Sequence, residues 1–160
     1  MLNAVRTLVS ALAIWVLATP VLADIRVVIV AANEVPYALG PTNYDNSPTN
    51  YNNSATNYDN SATNYDNSPT NYDNSATNFE NASRRIIGTS GDSVGHYTLS
   101  SKGVLNLYSG SGRVAFMPSG GHTQSVFASS GNVWCGSVVE SNGELVLAMT
   151  QACYMRFLLD

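Results

Sequence analysis

The C-terminal part of the chain, from residue 84 onward, alternates short apolar segments with short segments rich in glycine, serine and asparagine. Turn residues recur at intervals of roughly ten residues, which is typical of an antiparallel meander or small barrel. The predicted strands are VGHYTLS (94–100), VLNLY (104–108), RVAFM (113–117), QSVFA (124–128), NVWCGSVV (132–139) and ELVLAMT (144–150).

Alternation within these strands predicts which side chains share a face. Asn142-Gly143 predicts a tight hairpin between the last two strands. Thr150 is positioned to cap a short helix, QACYMRFLL, in which Cys153 and Phe157 share a face. The predicted shared faces are Leu105 with Leu107, Val114 with Phe116, Leu145 with Leu147 and Met149, and Val133 with Cys135 and Val139, opposite Trp134 and Val138.

Two further segments have a distinct pattern. Residues 25–32 (IRVVIVAA) are almost continuously apolar and favour a strand, which would be an aggregation hazard if left exposed. We expect this strand to return to the C-terminal sheet, and its alternative is pairing with another molecule's sheet edge. Residues 41–83 repeat the unit [PA]-T-N-Y-D-N-S six times, with one ring per unit.

The repeats predict an extended, turn-rich, solvated spacer, because Asn, Asp, Ser and Thr compete with a helical ladder and proline interrupts helices and strands. Three alternatives stay open. Asn/Tyr-rich tracts can self-associate, and regular repeats can stack as a solenoid, although seven residues leave little interior to fill. The carboxylates Asp45, Asp59, Asp66 and Asp73 could also bind Ca²⁺.

The tandem NYDNS units, joined to a small β-rich region, resemble a group of small exported bacterial proteins. The resemblance implies an extracytoplasmic location and attaches no activity, cofactor or site residue. It agrees with the N-terminus, where an apolar run over 7–19, Pro20 and Val21-Leu22-Ala23 read as a signal peptide cleaved before Asp24. The expected organisation is a signal peptide (1–23), a strand and turn (24–40), the repeat spacer (41–83) and a β-domain (84–160).

The cysteines, the charge distribution and the apolar segments limit which bonds and partners we expect. In an exported chain, the pair Cys135 and Cys153 predicts a disulfide that would fasten the helix to the sheet. Residues 24–83 carry one arginine and seven acidic residues, and residues 84–160 carry five basic and four acidic residues. No basic stripe suits nucleic acid. No further segment could span a bilayer, so we expect no membrane contact after signal cleavage.

Catalytic signatures are absent from the sequence, and we predict neither an enzyme nor a cofactor or metal site. His96 and His122 are interpreted as surface or hydrogen-bonded structural residues. Trp134, Tyr97 and Tyr108 are candidate contact aromatics on the sheet, although they would be half-buried in an ordinary sheet.

The resulting hypothesis is a non-catalytic interaction or structural protein in the periplasm, on the surface or in the medium. Its partner would be a protein or a surface glycan. One alternative is a self-assembling surface or matrix component that uses the repeats or the N-terminal strand. The other is an extracytoplasmic enzyme with a site on the β-domain.

Overall fold

The computed structural model describes residues 23–110 and 112–159, so residues 1–22 of the predicted signal peptide lie outside it. Eight strands of this described part close into a barrel. This confirms the mainly β, barrel-type fold with a short C-terminal helix. The elements are β1 (Ile25–Ile29), β2 (Arg85–Ile87), β3 (Ser93–Leu99), β4 (Leu105–Ser109), β5 (Gly112–Met117), β6 (Ser125–Ala128), β7 (Trp134–Ser141), β8 (Glu144–Met149) and the helix α1 (Gln151–Leu158).

Strands β2 to β8 pair antiparallel in chain order, and β1 closes the barrel between β2 and β8. Both of the β1 pairings are parallel, with Ile25 opposite Ile86 on one side and Leu145 on the other. The apolar segment therefore pairs within its own chain, as expected. A parallel neighbour requires a long crossover connection, and the repeats between β1 and β2 supply it.

The barrel core is apolar and is covered by α1. Leu107, Leu147 and Met149 are fully buried in one cluster with Ile25 of β1. The helix adds three buried residues to this cluster, Cys153, Tyr154 and Phe157. No helix of the described residues is both long and apolar enough to cross a membrane.

A disulfide joins Cys135 of β7 to Cys153 of α1, with 5.5 Å between the two Cα atoms. This confirms the predicted pairing. The tyrosine between helix and barrel adds a polar contact, because the Tyr154 hydroxyl accepts a hydrogen bond from the Thr89 backbone N–H at 3.1 Å. The helix is thus fixed to the barrel by a covalent bond, apolar packing and hydrogen bonds.

Two of the predicted shared faces are wrong. Val114 and Ala115 belong to the core cluster, whereas Phe116 belongs to a second cluster on the opposite face. The register shifts beside this strand, between Leu107 and Tyr108, so simple alternation fails there.

Strand β7 departs from alternation in the same way. Cys135 and Val138 share the core cluster, Trp134 lies in the second cluster, and Val133 is exposed. The backbone at Gly136 has φ 153°, and a Cβ there would lie 2.0 Å from the Ala148 carbonyl oxygen. This close approach accompanies a register shift against β6, between Val126 and Phe127, which reverses the side-chain parity.

The expected solvated spacer is also wrong. Residues 41–83 form a succession of short 3₁₀ and β-turns with buried asparagines, and they pack on the face of the barrel opposite its core. We call this segment the repeat column. Ala55 of the column, together with Val35 before it, packs against the apolar cluster of Val104, Phe116, Phe127 and Trp134.

Candidate functional site: the repeat column

Each unit of the column contains a turn that its own asparagine caps, and in five of the six units this turn is a 3₁₀ turn. In the fourth unit, Asn64 is extended, with φ −69° and ψ 125°, and its side-chain oxygen accepts a hydrogen bond from the Asp66 N–H at 3.1 Å. The third residue of the unit caps the turn in the same way at Asn43, Asn50, Asn71 and Asn78. Asparagine is one of the best residues for this position, because its short side chain reaches the N–H two residues on.

A serine begins the turn that joins each unit to the next. Between the fourth and fifth units, the Thr70 N–H donates to Ser68 Oγ at 3.2 Å, and the two hydroxyls lie 2.8 Å apart. The equivalent contacts recur from the first unit to the last. The residues that argued against a helix therefore specify two consecutive capped turns per unit.

The interior of the column is a ladder of amides. The sixth residue of every unit is an asparagine with an exposed fraction of 0–4%. Its Nδ2 donates to the backbone carbonyls six and eight residues earlier, at 2.7–3.3 Å. Each unit is thus held to the one before it by two hydrogen bonds from a buried side chain. These residues are Asn46, Asn53, Asn60, Asn67, Asn74 and Asn81.

The remaining amide oxygen of each buried asparagine contacts a donor outside the repeats. These donors follow the column in reverse chain order. The asparagine of the first unit contacts the loop before β6, and the asparagines of the fourth and fifth units contact β4 and β3. Each buried amide oxygen therefore has its own hydrogen-bond donor, as buried polar atoms require. The Oδ1 atoms of Asn46, Asn53, Asn60, Asn67, Asn74 and Asn81 contact Thr123 Oγ1 (2.6 Å), His122 Nε2 (2.9 Å), Ser119 N (3.4 Å), Asn106 Nδ2 (3.2 Å), Thr98 Oγ1 (2.8 Å) and Arg84 Nη1 (3.2 Å).

A buried arginine anchors the middle of the column. Arg113 donates to the Asn60 carbonyl oxygen at 2.6 Å, to Asn106 Oδ1 at 2.7 Å and to Ser129 Oγ at 3.1 Å. Its guanidinium carbon lies 4.7 Å from the centre of the Phe116 ring. Burial lowers the pKa of Arg113 to about 10, so the side chain stays charged at neutral pH and its hydrogen bonds are charge-assisted.

Both histidines contact the column. His96 Nε2 lies 2.7 Å from the Asn74 carbonyl oxygen, and its ring stacks on Tyr108 at 5.1 Å. A carbonyl only accepts, so this nitrogen carries the hydrogen. His122 contacts Asn53, as described above. The two histidines lie against different units, and each is used in fixing the repeats to the barrel.

The three candidate contact aromatics are buried rather than exposed. Trp134 and Tyr97 are 7% exposed and Tyr108 is 1% exposed. The Tyr108 hydroxyl donates to the Asn67 carbonyl oxygen at 2.8 Å, and burial raises its pKa to about 12. Trp134 Nε1 donates to Ser125 Oγ, and the Tyr97 hydroxyl donates to the Ala23 carbonyl. These rings are structural, and none of them is exposed as a contact surface.

Exposed aromatic residues lie on the column instead. The ring of each of the first five units has an exposed fraction of 62–65%, and Phe79 in the sixth unit reaches 90%. The threonine two residues before each ring is also exposed. We call the row Tyr44, Tyr51, Tyr58, Tyr65 and Tyr72 the tyrosine ridge.

Carboxylates accompany the ridge. An acidic residue directly follows the ring in five units, and Asn52 takes this place in the second. Lys102 in the β3–β4 turn forms an ion pair with Asp59, which raises the pKa of the lysine, and Ser101 donates to Asp66 at 2.9 Å. No group of three or more His, Cys, Asp or Glu side chains suited to a metal ion occurs in the part of the chain that the structure describes.

No protein-family model, curated protein or solved structure matches this chain.

Proposed function

We propose that the protein is a non-catalytic interaction protein that acts outside the cytoplasm, and that it binds its partner through the tyrosine ridge. One observation carries the proposal: five tyrosine rings at equivalent positions remain 62–65% exposed on a frame whose six buried asparagines have hydrogen-bond partners for both the amide nitrogen and the amide oxygen. Tyrosine is enriched at contact surfaces because a large, stiff ring loses little conformational entropy on binding.

The rigid frame supports a binding role. Each turn is capped and each unit is bonded to the previous one, so the rings are held in one arrangement before a partner arrives. Preorganisation of this kind lowers the entropic cost of association. Repetition adds avidity, because contact at one unit brings the next units close to the same partner. An extended partner with repeated features fits such a surface better than a small compact one.

The Cys135–Cys153 disulfide supports an extracytoplasmic location, since disulfides persist in oxidising compartments. The predicted signal peptide and the resemblance to exported bacterial proteins point to the same location. Self-assembly through the ridge is the second candidate function, because burying five rings against a second copy would also remove apolar surface from water.

The test compares the chain that begins at Asp24 with a variant in which all five ridge tyrosines are replaced by serine. We expect the wild-type protein to co-sediment with envelope fragments or extracellular material of the producing cells, and the variant to remain in the supernatant. The matched control replaces Thr49, Thr56, Thr63, Thr70 and Thr77 by serine, which keeps each hydroxyl contact with its neighbouring serine.

The result separates the hypotheses. Equal sedimentation of wild type and tyrosine variant would refute the ridge as the binding surface. Analytical ultracentrifugation of the same two proteins tests self-assembly, for which the wild type alone would form large species as its concentration rises.

A further inference from the structure

We infer that the partner of the tyrosine ridge is an extended, positively charged polypeptide segment, whose ammonium or guanidinium groups lie against the rings and beside the carboxylates that follow them. This inference rests on the proposed function and specifies the chemistry of the partner. It rests on two features that occur together on the repeat column, namely exposed rings and negative charge.

Charge on the ridge has one sign. Residues 41–83 contain five acidic residues and no lysine or arginine. The ion pairs among the described residues occupy Asp59 but leave Asp45, Asp73 and Glu80 without a basic partner. Exposed acidic side chains therefore lie toward both ends of the ridge, and Lys102 neutralises only its middle.

An aromatic ring next to a carboxylate favours a cation. The negative face of a tyrosine ring attracts a lysine or arginine group, and the adjacent carboxylate attracts it as well. Each such contact is weak at an exposed site. The frame holds five rings, three of which are followed by a carboxylate outside any ion pair of the described residues (Asp45, Asp66 and Asp73). These weak contacts add together, so that only a segment long enough to meet several units binds tightly.

The same charges disfavour other occupants. A second copy would bring two acidic faces together, which costs free energy through like-charge repulsion. Anionic glycans and nucleic acids are repelled for the same reason. A neutral glycan could stack on the rings, but it would gain nothing from the carboxylates and its binding would be insensitive to salt.

The experiment titrates the chain that begins at Asp24 with an oligolysine peptide, an oligoglutamate peptide and a soluble neutral glycan, at low and high salt. We expect binding to oligolysine alone, with affinity that falls as salt rises. Replacing the five ridge tyrosines by serine leaves the net charge unchanged, and it should weaken oligolysine binding about tenfold or more.

A second variant removes charge and keeps the rings. The triple change Asp45→Asn, Asp73→Asn and Glu80→Gln should weaken binding severalfold and flatten its salt dependence. Asn52 already occupies the equivalent place in the second unit, so an amide fits there. Circular dichroism of each variant checks that the fold is retained.

Two outcomes would overturn the inference. If wild type and tyrosine variant bind oligolysine equally, the attraction is general electrostatics and the rings take no part. If the neutral glycan binds in a tyrosine-dependent way and oligolysine does not, the partner is a glycan. In that second case the ridge would still be the binding surface. Both proposals would be refuted if, in addition, wild type and tyrosine variant co-sedimented equally with envelope fragments.

Discussion

The barrel and the repeat column have cores of opposite character. Leu107, Leu147 and Met149 fill the barrel with apolar side chains that are fully buried. The column is filled by Asn53, Asn60 and Asn67, which are equally buried. Apolar burial stabilises the barrel without directional bonds, whereas a buried amide is tolerated only when its polar atoms have partners. A segment with little apolar surface can therefore be ordered when a scaffold completes its hydrogen bonds.

The comparison also shows that the two regions depend on each other. From the second unit onward, each buried asparagine uses its Nδ2 within the column and its Oδ1 mainly toward the barrel, where Thr98, Asn106 and His122 are among the partners. Without the barrel these oxygens would turn to water and the column would lose its anchor points. The barrel, in turn, needs residues 41–83 as the crossover that brings β1 parallel to β2.

The largest expected effect comes from a cavity in the barrel core. Leu107→Ala should lower the free energy of unfolding by about 2–5 kcal/mol, because Leu107 is fully buried and its neighbours cannot refill the space. Urea unfolding followed by tryptophan fluorescence measures the change. Leu99→Ala is the control, since Leu99 is 48% exposed on the neighbouring strand and should change stability by about 0.5 kcal/mol or less. Equal effects at the two positions would contradict the assigned core.

Removing the disulfide tests how much of the stability of the fold depends on the attachment of α1 to the barrel. Replacing Cys135 and Cys153 by alanine should lower the free energy of unfolding by about 3 kcal/mol, because the bond closes a loop between residues 18 apart in sequence. Reduction of the wild-type protein by dithiothreitol should reproduce this loss. If reduction left urea stability unchanged, the bond would not constrain the unfolded chain as argued.

The stability of the column should fall when a buried asparagine loses its hydrogen-bond donor, even if the volume of the side chain is unchanged. Asn67→Asp keeps the shape but removes the amide that donates to Asp59 O and Ser61 O, and it should cost about 1–3 kcal/mol. Asn52→Asp makes the same chemical change at an exposed position where other units already have aspartate, and it should be nearly neutral. Urea unfolding and amide exchange of residues 41–83 measure both, and a harmless Asn67→Asp would refute the amide ladder.

The sequence was informative where alternation holds. It predicted six of the strands, the helix, the disulfide and the return of residues 25–32 to the sheet, because each has a local pattern with a direct physical meaning. It missed β2, a three-residue strand, and it misplaced Phe116 and Val138, because register shifts change side-chain parity without leaving a pattern in the sequence.

The order of the column was harder to predict because the hydrogen bonds that anchor it to the barrel are made with residues distant in sequence. The local capping residues were visible in every unit, but the donors that satisfy the buried oxygens come from other elements. One signal was present: Asn106 and Arg113 are polar residues within otherwise apolar strands, on the face away from the barrel core. Polar residues at such positions indicate a polar layer packed on the sheet.

The smallest expected effect lies at the surface, outside both cores. Arg85 donates two hydrogen bonds to Asp24, at 2.7 and 3.1 Å, and this contact lowers the pKa of Asp24 below 3.8. A carboxyl with a lowered pKa stabilises the fold above its ordinary pKa, and the contribution disappears as the pH falls through the lowered value. Because both side chains are partly exposed, Asp24→Asn should cost less than about 1 kcal/mol at neutral pH. The difference from wild type should shrink as the pH falls below the ordinary pKa of aspartate and vanish once Asp24 is protonated in the folded protein, as followed by urea unfolding at each pH. A difference that grew on acidification would have the wrong sign, and a loss as large as that of Asn67→Asp would mean that surface charge matters as much here as the buried amides.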